Sequence, residues 1–112
     1  MTITNIELVE GTLLTTSAAT YGTPVGNTKT VIRRATFCNT TANARLVTIY
    51  KIPNGGTAVA ATTFVKDKVL GPNETWSCVD LEGHVLEANG FIQALCDAGS
   101  AVAITVSAYT VT

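Results

Sequence analysis

Short apolar segments separated by turn signals recur about every ten residues along this chain, and that rhythm limits it more than any other feature. Such segments suit antiparallel strands that bury one face. The segments read as strands are Ile3 to Leu8, Leu13 to Ser17, Thr28 to Cys38, Arg45 to Ile52, Thr63 to Val69, Glu74 to Val79, Phe91 to Cys96 and Ala101 to Val111. Gly11 separates the first two, and Gly22, Pro24 and Gly26 place a loop over 18–27. Pro53-Asn-Gly-Gly56 and Gly71-Pro-Asn73 close two others, since Asn-Gly and Gly-Gly readily take positive φ. Only 80–89 looks helical, with Asp80 as a cap and Asn89-Gly90 as a stop, and Gly83 keeps it short. The expected fold is all-β: a single antiparallel β-sandwich of about 7–8 strands, jelly-roll or immunoglobulin-like. Residues 1–10 form an N-terminal arm or edge strand, and 11–112 the sandwich domain.

Composition supports strands. Twenty threonines accompany the valines and isoleucines, and β-branched side chains fit a pleated surface. Aromatic residues are only 6%, so aliphatic side chains must fill the core. The most regular alternation lies in 101–111, with Val102, Ile104 and Val106 on one face and Thr105, Ser107 and Tyr109 on the other. In Thr28 to Cys38 the alternation fails, because Arg33 and Arg34 put a charge on each face. A β-bulge, or a strand buried on both faces at different points, would explain that. Trp76 is expected in the core.

Charged residues make up 13%, about half the usual share of roughly 25%, and the net charge is −1. A nucleic-acid binder needs a dense basic footprint, so none is expected. A weakly charged surface suits burial against other chains, including copies of this one. No stretch approaches the roughly 20 apolar residues of a membrane span, and the first residues lack a signal-peptide pattern. The odd, widely spaced Cys38, Cys78 and Cys96 are expected to be reduced and packed as small apolar residues. The sequons at Asn39 and Asn73 are chance products of a threonine-rich chain.

Chemistry-bearing residues are sparse. His84 is the lone histidine, and Cys78 or Asp80 nearby makes no nucleophile–base signature. No Cys/His spacing suits zinc. Glu82 and Glu87 could form a carboxylate pair only across a cleft that so short a chain hardly provides. Gly55-Gly56 matches no phosphate-binding motif. No enzyme activity, cofactor, metal or small-molecule substrate is expected. Candidate partner contacts are Ile3, Ile6 and Leu8 in the first segment and the Arg33-Arg34 pair. The loops around Pro24 and Asn54 are further candidates.

The runs GTLLTTSAATYGTPVGNTKTVIRRATFCNTTANARLVTIYKIPNGGTA and LGPNETWSCVDLEGHVLEANGFIQAL carry a resemblance. Gly11-Thr-Leu-Leu14, Asn27-Thr-Lys-Thr30 and Gly83-His-Val-Leu-Glu87 stand out within them. Over roughly 10–111 the chain resembles small virion structural proteins of tailed bacteriophages. In length and β-rich makeup it is similar to the capsid decoration, or cement, proteins of short-tailed phages. The resemblance implies a virion protein made in the host cytoplasm, with the major capsid protein or other virion proteins as partners. It carries no catalytic role to these residues, and it leaves head, neck and tail open.

Overall fold

The computed structural model of the chain describes residues 2–21 and 29–111. It is all-β: two antiparallel sheets face each other across one hydrophobic core. The larger sheet holds β1 (Ile3–Leu13), β9 (Val102–Val111), β3 (Lys29–Asn39) and β6 (Thr75–Ser77) in that order, with β7 (Val85–Leu86) also on β3. The smaller holds β2 (Ala19–Thr20), β8 (Phe91–Cys96), β4 (Arg45–Ile52) and β5 (Thr63–Leu70). Among these strands, only β4 and β5 are consecutive and paired. Apart from β6 and β7, which both lie against β3, every other sequential step crosses from sheet to sheet. That interleaving is the winding of a jelly roll, since an immunoglobulin-like sandwich keeps more of its sequential neighbours in one sheet. The described strands number nine, more than the eight segments read from the sequence, because β2 and β7 are only two residues long.

β9 is the organising strand. Val102, Ile104, Val106 and Ala108 are buried, and the residues between them face outward. Both neighbours must follow that phase, and each inserts one residue, on either side of the Ser107 row. In β3, Ile32 opposes Ala108 but Arg34 opposes Ser107. In β1, Glu7 opposes Ser107 and Val9 opposes Val106, leaving Leu8 as the extra residue. The bulge in β3 resolves the arginine conflict. Its buried face runs Thr30, Ile32 before the bulge and Ala35, Phe37, Asn39 after it, so Arg33 and Arg34 are both exposed. β1 shifts again between Val9 and Thr12, where Gly11 takes φ +55°. Gly11 therefore does not break the first strand, because its left-handed backbone carries the strand through a second bulge.

Three expectations change here. From Ile3 onward the first segment is β1 (Ile3–Leu13), paired with β9 in the chain's own sheet. The segment is therefore an edge strand of the sandwich and not a free arm. Residues 80–89 form no helix. A single 3₁₀ turn at Val79–Leu81 buries Leu81, Gly83 donates its N–H to Ile32 O at 2.7 Å, and β7 follows. Asn89 takes φ +64° in the turn that leads to β8. Leu13 does not begin a new strand: it ends β1, and buried Leu14 follows it. Most of the 18–27 loop lies outside the described residues, apart from β2 at its start.

Buried polar groups are few and mostly satisfied. Asn39 ends β3 with no exposed surface. Its amide nitrogen donates to the carbonyls of Asn43 (2.8 Å), Gly71 (3.0 Å) and Leu70 (3.2 Å). Its carbonyl oxygen accepts from the N–H and hydroxyl of Thr41 at 3.0 and 2.8 Å. One side chain thus joins the β3–β4 turn to the end of β5. Replacing it removes those bonds and strands buried carbonyls. Asn39→Ala should lower stability by about 2–4 kcal/mol in chemical denaturation, with little change in the denaturant slope. A loss under about 0.5 kcal/mol would mean that water replaces the amide without penalty.

The three thiols are free. Cys78 and Cys96 are buried in the core, while Cys38 lies half-buried on β3. Burial pushes the Cys78 and Cys96 thiols up, so less thiolate is present at neutral pH. A disulfide-exchange reagent at pH 7 should therefore modify Cys38 first in the native protein, with the other two reacting after unfolding. Equal rates for all three, read by mass spectrometry, would contradict this burial.

Candidate interaction surface

The outward face of the larger sheet collects the exposed candidates. The paired bulges form a crease across it at Ser107. Glu7 and Arg34 lie opposite Ser107 on either side, and Arg33 stands beside Arg34. Two consecutive residues on one face is what a bulge provides, because the inserted residue breaks the alternation. Arg34 Nε lies 3.6 Å from Glu82 Oε1, and Arg33 Nη1 donates weakly to Asn5 Oδ1 at 3.4 Å. Arg34 is 72% exposed, so this ion pair stabilises the fold little. Together with Ser107, the two guanidinium groups line a shallow, open, polar depression. Such forked donors suit carboxylates on another chain.

The candidates in the first segment divide. Ile3 is 56% exposed and lies across from Val111 on the outward face. Ile6, opposite buried Ala108, and bulged Leu8 are half-buried, and Leu8 packs against the core. Ile3 is thus available to a partner, whereas Leu8 mostly serves this fold. Val9 is buried in the core, although sequence periodicity gave it no such role. Outward alternation also brings half-buried Val31, Tyr109 and Val85 into one row across β3, β9 and β7.

Residues considered for catalysis are dispersed. The His84 ring packs edge-on against Phe64, with centroids 4.9 Å apart. Glu82 faces Arg34, while Glu87 lies 3.9 Å from Lys29. Among the described residues, no three His, Cys, Asp or Glu side chains gather where they could hold a metal ion. Trp76 is half-buried against Phe37 at 5.4 Å, and Lys68 Nζ lies over its ring, 5.4 Å from the centroid. It closes one side of the sandwich. A recess of about 270 Å³ lies between Lys51–Pro53 and Val85–Glu87. It is open and slightly smaller than the roughly 300–1,000 Å³ of ordinary ligand sites. Asn54 lies in an exposed turn in which Gly56 donates its N–H to Pro53 O, and Pro24 lies outside the described residues.

No family model and no curated protein matches the chain. Two solved structures share its fold. One is a chain of Bacillus endospore appendages, described as a novel family of disulfide-linked pili. It has a TM-score of 0.59 at 14% identity, covering 99% of this chain and 88% of that one. The other is a chain from the infectious bursal disease virus Gx strain, with a TM-score of 0.52 at 15% identity. That match covers 98% of this chain and 32% of the viral one. At such identities the likeness is one of fold: the whole chain matches one chain of an appendage and about a third of a virus chain.

Proposed function

We propose that this chain is a non-enzymatic structural subunit of a phage virion, a capsid decoration protein that bridges neighbouring major capsid proteins. The observation that carries this reading is the outward face of the larger sheet. It joins a row of half-buried apolar side chains to a crease bearing two exposed arginines. The resemblance of 10–111 to phage virion proteins supports it, as does a fold shared with a virus chain. A modest contact repeated at every lattice position sums to a large stabilisation of a shell. The dispersed His84, Glu82 and Glu87 fit a role without turnover. A neck, tail or fibre-associated component is the second reading, favoured by the likeness to an appendage chain across 88% of that chain.

Copy number separates the two. Densitometry of purified virions should give hundreds of copies per particle. A few dozen or fewer would move the protein to the neck or tail, and none would remove it from the virion. Reversing both charges, Arg33→Glu with Arg34→Glu, should lower shell occupancy roughly tenfold while leaving the thermal midpoint within a few degrees. Unchanged occupancy would place attachment on another surface. His84→Ala should assemble and infect like the wild type. Loss of a hydrolytic activity in that variant would reveal an enzyme.

A further inference from the structure

Every sheet edge presents unpaired N–H and C=O groups to which another strand can add. Among the described residues, three of the four sheet edges are covered or blunted. The chain from Thr15 to Tyr21 covers β8, with Cys96 donating to Thr15 O and Tyr21 to Ile92 O at 3.0 Å each. The far side of β3 is covered by β6, β7 and the turn between them, where Cys78 donates to Ala35 O at 2.9 Å. β5 carries Lys66, Asp67 and Lys68 in succession, with two register shifts and Asp67 at φ +49°. Consecutive charges and bulges are the usual means of blocking an edge.

Among the described residues, nothing of that kind protects β1 over its first five residues. Ile3 through Glu7 pair with Val111 through Ser107 in unbroken register. The stretch holds one charge and neither proline nor lysine, and Ile3 at its end is 56% exposed. The bulge at Leu8 then ends the regular edge.

We propose that Ile3–Glu7 is a homotypic docking strand. It pairs antiparallel with the same segment of a second copy, with the two-fold axis at Asn5. The larger sheets then join through β1 as one continuous sheet. The segment is self-complementary about that point. Ile3 faces Glu7 of the second copy, Thr4 faces Ile6, and the two Asn5 amides, each with donors and an acceptor, face one another. Outward residues meet outward residues, so both sheets keep their buried faces on the same side. Moving the axis toward Ile6 brings the Leu8 bulge into the pairing, and moving it to Glu7 sets two carboxylates face to face. Moving it toward Thr4 leaves fewer residues paired. A net charge of −1 adds little repulsion between copies. The contact is isologous, so it closes at a dimer. This inference rests on the proposed structural role only in requiring that the chain assembles.

Engineered cysteines in the full chain test it, with Cys38→Ser removing the half-exposed thiol. Residues directly opposed across antiparallel strands hold Cβ atoms about 4.5–5.5 Å apart, near disulfide reach. Under mild oxidation Asn5→Cys should give a covalent dimer on a non-reducing gel. Ile3→Cys alone should stay monomeric, while a mixture of Ile3→Cys and Glu7→Cys should cross-link. Asn5→Lys should weaken dimerisation at least about tenfold in sedimentation, with an unchanged thermal midpoint. The proposal is overturned if the wild type is monomeric at every concentration tested, or if Ile3→Cys alone cross-links as fully as Asn5→Cys. Full occupancy on virions without an Asn5→Cys cross-link would remove the strand pairing and leave the shell role standing. A cross-linked dimer absent from virions would do the reverse.

Discussion

The larger sheet depends on the strict alternation of β9. A strand in the middle of a sheet fixes which residues of its neighbours point inward, because a slip of one position exchanges the two faces. Val102, Ile104, Val106 and Ala108 commit β9 to the core, and the neighbouring sequences do not keep step with it. Each restores the phase by inserting one residue beside Ser107. The fold thereby keeps Ile32, Ala35 and Phe37 buried, and it places Arg33 and Arg34 side by side on the outward face. The electrostatic feature of that face follows from a mismatch in packing period.

The small stock of charges is spread over several local tasks. Lys68 lies over Trp76 where the two sheets meet at one side. Asp67 accepts from the Thr48 hydroxyl at 3.3 Å and returns its own N–H to that oxygen at 3.1 Å, tying the bulge of β5 to β4. Asp97 accepts the Leu46 N–H at 3.2 Å next to the end of β8. Glu74 accepts the Gly71 N–H across its turn at 2.6 Å. With so many carboxylates holding turns and edges, the arginine pair on the outward face stands apart as charge with weak local ties.

How much was legible in the sequence depended on how local each signal was. Arg45–Ile52 and Phe91–Cys96 could be read residue for residue because alternation and turn chemistry agreed at both ends. The conflict between Arg33 and Arg34 left a bulge and two-faced burial both open, and the register against β9 selects the bulge. Residues 80–89 misled because an aspartate before Leu81 and an Asn-Gly pair imitate helix caps, while hydrogen bonds to Ile32 hold that segment against β3. Gly11 resembled a break because a positive φ serves a bulge as well as a turn. Asn39 looked like an incidental sequon. Its role depends on carbonyls at Leu70 and Gly71, about thirty residues away, which no local pattern records. The candidate surface was half legible: the arginines and Ile3 were visible, while the burial of Leu8 and Val9 followed from a register set by β9.

The place of β9 has a kinetic consequence. It is the last strand of the described chain, yet it lies between β1, the first, and β3. Neither pairing can form during synthesis until residues beyond about 100 have emerged, so the larger sheet closes in one late step. Until then β1 has no partner in its own sheet and one edge of β3 is unpaired. A jelly roll wound this way folds slowly because its loops must close before its contacts can reward them. The growing chain therefore carries these unpaired strand edges until Val102–Val111 arrive to close them.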